Sequence, residues 1–177
     1  SKKYWVKKNN FIIKKTSKLK LFMKKKIKYS FQYYIDQAIY KFKDRTYLID
    51  ENDPKKNIRF SDLNKFLINF NDFFEKKRIS NQKKVLICLN NNNITGLILI
   101  GLIYFNRTVI PVNPAFKKKD IEFIVKNSRP DFIIADREYN NLFRDISVNK
   151  IFLQNLKLFD EPKKNKIKKI NISDKDL

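Results

Sequence analysis

Three short apolar runs, at residues 85–89, 108–112 and 131–135, constrain this chain more than anything else in it; they read VLICL, TVIPV and DFIIA. Runs rich in Val and Ile suit strands buried on both faces. Two segments with helical spacing lie between them. That alternation predicts consecutive βαβ units, hence an α/β fold with helices on both sides of a mostly parallel sheet, three layers in all.

The elements upstream follow from the same periodicities. Phe31, Tyr34, Ile35, Ala38, Ile39 and Phe42 share one face of a helix. A strand at 46–50 precedes Asn52-Asp53-Pro54, a turn leading to a partner strand near 58–60. Ser61 is the expected N-cap of the next helix. The face of that helix is Leu63, Phe66, Leu67, Phe70 and Phe74, a spacing that belongs to core rather than to a ligand box. Asn90 to Asn93 form a polar brake between strand and helix, read as turn geometry and a cap, because Asn tolerates the left-handed region and bonds nearby backbone. Further on, Pro111 and Pro114 end a strand, 120–127 is a helix, and Pro130 separates it from the strand at 131–135. The pattern then weakens to a short helix at 139–146, a strand at 150–153 and a charged, solvated linker at 161–169.

The 177 residues suffice for one domain with a proper core. The formal charge is +22, from 40 Lys and Arg against 18 Asp and Glu. Such a balance normally points to nucleic acid or an anionic membrane. Here Lys, Asn, Ile, Phe and Tyr are all abundant while Gly is scarce, which is also what AT-rich codons produce. Twelve of the lysines fall within residues 1–28, where there is no acid. With no His and a single Cys, neither a zinc site of the usual ligand types nor a His-based triad can be assembled. Cys88 lies inside an apolar run and reads as a small buried hydrophobe. The longest apolar run, 94–105, falls well short of the ~20 residues that span a bilayer.

Residues 1–22 differ from the rest: they lack acids and hold neither a helical nor a strand period. We read Met23, the only Met, as the initiator and 1–22 as an extension outside the native coding sequence. The alternative is a basic arm giving peripheral contact with a membrane surface.

Several of these segments, in order, resemble one family. The stretch GLIYFNRTVIPVNPAF at 101–116 is similar to the "AGAVVVPLNP" region of adenylate-forming enzymes: acyl-CoA synthetases, luciferases and peptide-synthetase adenylation domains. TYLID at 46–50 with RFSDL at 59–63 resembles the opening hairpin and "hTYxEL" helix start of that family. KKVLICLN at 83–90 resembles "GDRVALLLPN", and IEFIVKNSRPDFIIA at 121–135 resembles "ELxYILEDSxAKxLIT". Each motif alone is only an apolar strand with a turn residue; the order of four carries the resemblance. Asn106 stands where the family usually has Gly, just past a helix, and Asn is the next best residue for a left-handed position there. Arg107 stands where Ala is usual, without a comparable reason.

The resemblance implies the N-terminal portion of an AMP-forming acid–thiol ligase. Such an enzyme uses ATP and Mg²⁺ to convert a carboxylic acid to acyl-AMP, then passes the acyl group to a thiol, usually of coenzyme A, in the cytoplasm. Residues 23–160 would be part of its N-terminal α/β subdomain, and 161–177 a linker to the phosphate loop. That loop, roughly "YTSGTTGxPKG", is not in the sequence: the only glycines, Gly96 and Gly101, sit inside an apolar helix. ISDKDL at 172–177 resembles the stretch ahead of the loop, so the clamping groups are expected beyond Leu177. We therefore assign no catalytic, cofactor-binding or metal-binding residue within these 177. The competing expectation is a basic nucleic-acid-binding α/β protein, with Tyr4, Trp5, Tyr29, Tyr33 and Tyr34 near lysines as stacking groups.

Overall fold

Ser30 starts the first helix by accepting a hydrogen bond from the Tyr33 amide at 3.1 Å. The computed structural model describes residues 30–153 apart from 78, 81 and 82, so the extension at 1–22 and the linker at 161–177 lie outside the described residues. Helix α1 (Phe31–Phe42) lays Ile35 and Ile39 against the main core, whereas Phe31 and Tyr34, expected on the same face, are 38% and 54% exposed. Strand β1 (Thr46–Leu48) pairs antiparallel with β2 (Ile58–Arg59). Between them Asp53 caps a 3₁₀ turn, Pro54–Lys56, by accepting from the Lys55 amide.

Helix α2 (Phe60–Lys76) begins before Ser61, which corrects the expected N-cap. The Asp62 carboxylate reaches back to the Arg59 amide at 3.0 Å, satisfying the donor just ahead of the first turn. The cap is therefore Arg59, and Ser61 is the second helical residue. The expected face is buried: Leu63, Phe66, Leu67 and Phe70 are fully enclosed and Phe74 nearly so.

Strand β3 (Lys84–Cys88), helix α3 (Asn93–Tyr104), strand β4 (Thr108–Pro111), helix α4 (Lys118–Ser128), strand β5 (Phe132–Ala135), a 3₁₀ segment (Arg137–Phe143) and strand β6 (Asn149–Phe152) complete the described residues. The four strands form one sheet in the order β4-β3-β5-β6, every neighbouring pair parallel. Val85, Ile87, Phe132 and Ile134 face a core built with α2 and α3. Leu86, Cys88, Ile133 and Ala135 face a second core with α4 and the 3₁₀ segment. Successive side chains point to opposite faces, so a strand buried on both sides must be apolar throughout. The expected α/β layers are present, with strand ends shifted by a residue or so.

Asn106 has φ 53°, the left-handed conformation expected from its place after α3. Its amide bonds the Ile103 carbonyl at 3.0 Å and that of Arg107 bonds Leu102 at 2.9 Å, satisfying the last carbonyls of the helix. Asn106→Gly is expected to leave stability unchanged or slightly raised. Asn106→Val should lower it by about 1–2 kcal/mol, because a β-branched residue is strained there. Equal melting of the two variants would refute the cap. Arg129 is also left-handed, φ 50°, which the sequence reading did not anticipate. Pro130 disfavours the right-handed helical conformation for the residue before it, so α4 ends at Arg129, whose amide still bonds the Val125 carbonyl at 2.9 Å.

Candidate functional site

In a doubly wound sheet, ligands bind outside the carboxyl ends of the strands, where neighbouring connections leave toward opposite faces. Here that place lies between β3 and β5. The chain leaves β3 toward α3 on one face and leaves β5 toward the 3₁₀ segment on the other.

The two loops are tied together at this point. The Asn90 amide donates to Asp136 Oδ2 at 2.8 Å and its carboxamide to Glu138 Oε1 at 2.5 Å. The Tyr139 hydroxyl donates to Asn90 Oδ1. Thr95, in the first turn of α3, holds the Asn90 carbonyl at 2.5 Å, and its amide is capped by Asn92 Oδ1 at 3.1 Å. Asn92 thus provides the expected cap. Asn90 to Asn93 do not use the expected left-handed backbone: among the described residues only Asn106 and Arg129 have positive φ. Of the two expected contributions, side-chain bonding to nearby backbone is the one the asparagines make.

Asp136 is buried, 5% exposed, with its amide bonded to the Cys88 carbonyl. Burial, with Asp136 adding to it, pushes the Cys88 thiol up to about 11. The thiol therefore stays protonated at neutral pH and behaves as the expected buried hydrophobe. Desolvation, then Glu138 and Asp136, raises the Tyr139 hydroxyl as well.

Two adjoining cavities open beside the network. One, of about 610 Å³, is bounded by Leu89, Asn90, Pro114, Ala115 and Tyr139. The other, of about 250 Å³, reaches between β3, β4 and α3 to Ile87, Leu99 and Val112. Leu89, Asn91 and Asn113 border both, and no charged side chain lines either. Asn113 is occupied in shaping its own loop, accepting from the Ala115 amide at 2.9 Å. The crevice offers amides, one phenol and an apolar floor.

A third cleft, of about 530 Å³, lies between the β1–β2 hairpin and the start of α3. Its acids are engaged locally: Asp50 Oδ1 accepts from the Asn52 and Asp53 amides, and Asp62 from Arg59.

A nucleoside triphosphate with its metal does not fit these residues. Among the described residues no group of three His, Cys, Asp or Glu side chains converges to hold a metal. Both glycines lie within α3, where their amides serve the helix. The Asn90–Asp136–Glu138–Tyr139 network escaped the sequence reading because Asn90 lies 46 to 49 residues from its three partners. An acid directly after an apolar strand was the only local sign of it.

The family model described as "AMP-binding enzyme" matches residues 35–176. No curated protein matches the chain in sequence. Among solved structures, the luciferase-like enzyme of the nonluminescent mealworm Zophobas morio superposes with a TM-score of 0.63 at 21% identity, covering 71% of this chain and 31% of that one. A long-chain-fatty-acid-CoA ligase from Archaeoglobus fulgidus gives 0.64 at 20% identity, covering 72% and 28%. VinN in complex with L-aspartate gives 0.65 at 15% identity, covering 72% and 36%. The chain thus spans about a third of the length of the structures it matches. At such identities the structures speak for the fold, and the sequence family covers most of the chain. The chain belongs to the AMP-binding, adenylate-forming enzymes.

Proposed function

We propose that residues 23–160 are part of the N-terminal α/β subdomain of a ligase that activates a carboxylic acid with ATP as acyl-AMP and transfers the acyl group to a thiol such as that of coenzyme A. The observation that carries this reading is the parallel β4-β3-β5-β6 sheet lying within the family match over residues 35–176. A carboxylate is a poor electrophile, and activation gives it a good leaving group; electrostatic clamping of the phosphates supplies much of such catalysis. These residues hold no such clamp. Their part is architectural: the sheet supports a neutral crevice wall, and the Asn90–Asp136 bond fixes two of its loops. Magnesium and a cytoplasmic location belong to the same proposal.

The test is pyrophosphate exchange into ATP. The intact reading frame containing these residues should catalyse it in the presence of a suitable carboxylic acid, while purified 1–177 should stay at background. Exchange by 1–177 alone would overturn the architectural role. Failure of the intact protein across aliphatic, aromatic and amino acids would overturn the ligase reading.

A further inference from the structure

The chain carries a formal charge of +22, yet no charged side chain lines either cavity of the crevice. The smaller cavity, of about 250 Å³, is walled by Ile87, Leu99 and Val112. Ile87 is 3% and Val112 7% exposed, so the packed sheet, rather than movable surface groups, fixes these two walls. Leu99, on α3, also packs against the main core. An apolar cavity of about 150 Å³ already takes up benzene, so this one has room for a larger hydrocarbon group. The polar groups beside these walls include Thr95, bonded to the Asn90 carbonyl, and Asn113, bonded to the Ala115 amide. A charged group entering the crevice would lose water and gain no ion pair from the lining. Asp136 and Glu138, held by Asn90 at the edge of the larger cavity, oppose a second carboxylate further.

We propose that this crevice receives the uncharged, apolar tail of the carboxylic acid, and that Leu99 and Val112 limit its length. The assignment rests on the ligase reading above. In that reaction the carboxylate must meet the phosphate clamp, and the described residues offer neither a metal-holding group nor a glycine outside α3. What the crevice can hold is therefore the part of the acid remote from the reacting group. Binding energy gained there serves to orient the carboxylate for attack. The substrate class is accordingly a monocarboxylic acid with an aliphatic or aromatic tail. Dicarboxylic acids, and amino acids with charged side chains, lose more in desolvation than this lining returns.

Pyrophosphate exchange by the intact protein, with acetate, hexanoate, octanoate, benzoate and adipate in turn, tests this. Adipate is hexanoate with a second carboxylate at its far end, so the pair isolates tail charge at nearly constant length. Hexanoate should exceed adipate in kcat/KM by at least about a hundredfold. In Leu99→Phe the ratio of hexanoate to acetate efficiency should fall at least about tenfold, and in Leu99→Ala the ratio of octanoate to hexanoate should rise. Because each readout is a ratio within one variant, partial loss of folded protein cancels. Adipate matching hexanoate, or ratios unchanged in both Leu99 variants, would overturn the crevice assignment while leaving the ligase reading in place. No exchange with any acid would overturn the ligase reading, and this assignment with it.

Discussion

Replacing Phe70 with alanine is expected to lower the stability of the intact protein by about 3–5 kcal/mol. The Phe70 ring is fully enclosed, 5.0 Å from Phe66, 4.7 Å from Phe74 and 6.5 Å from Phe105 between centroids. It joins α2 to α3, and the two helices approach closely here. A Cβ added at Gly101 would come within 2.9 Å of both the Phe66 and Phe70 rings. Gly101→Ala gains up to about 1 kcal/mol of helix propensity but loses about 1–3 to overpacking, so it should destabilise. In a Phe70→Ala background that penalty should shrink, because half of the obstructing ring surface is gone. Gly96 is the contrasting case: its nearest neighbour is the flexible Leu48 side chain at 3.4 Å, so Gly96→Ala should be neutral or stabilising. Urea unfolding of the single and double variants measures these differences. Strict additivity of Phe70→Ala and Gly101→Ala would show that the rings do not set the helix spacing.

Arg107→Met is expected to stabilise the protein, by up to about 1–4 kcal/mol, the range seen when buried charged groups give way to apolar side chains of similar volume. Arg107 is only 5% exposed. Its guanidinium carbon sits 4.1 Å from the Phe74 ring centre and 5.7 Å from that of Phe105. Nε and Nη1 have no hydrogen-bond partner among the described residues. Cation–π contact returns on the order of 2 kcal/mol, less than the several lost by desolvation. Burial lowers the group to about 10, still cationic at neutral pH. The folded state therefore gives up this proton before the unfolded state does, so this residue adds stability as pH rises above about 10. Arg107→Met should lack that alkaline gain, and Arg107→Ala, which opens a cavity, should not share the stabilisation. A methionine variant less stable than the parent would show that the guanidinium has acceptors that offset its burial.

The residues that were legible in sequence are those whose signal is local. The strands at Val85, Thr108 and Phe132 announce themselves through apolar runs, and Asn106 through a backbone need that Asn and Gly share. Ser61 misled because a hydroxyl before an apolar face is a common cap, whereas the reach of Asp62 to Arg59 moved the helix start upstream. Arg129 gave no sign of its own; the ring of Pro130 bars the right-handed continuation, and the left-handed choice has no local sequence signal. Arg107 reads as a surface cation in any composition count, and only packing reveals that it lies beneath Phe74. The crevice network was illegible because loops distant in sequence meet only once the sheet has formed.

The parallel order of that sheet dictates a timetable. Strand β3 lies between β4 and β5, and its junction with β5 is bridged by a bond from the Lys84 amide to Asp131 across 47 residues. A chain emerging from the ribosome therefore exposes Val85 to Leu89 well before the strand that flanks them has been synthesised. Non-local pairings of this kind fold slowly and leave sticky edges in the interval. Nascent chains paused between β4 and β5 should be the ones that chaperones capture, and release should follow once Ala135 has cleared the exit tunnel.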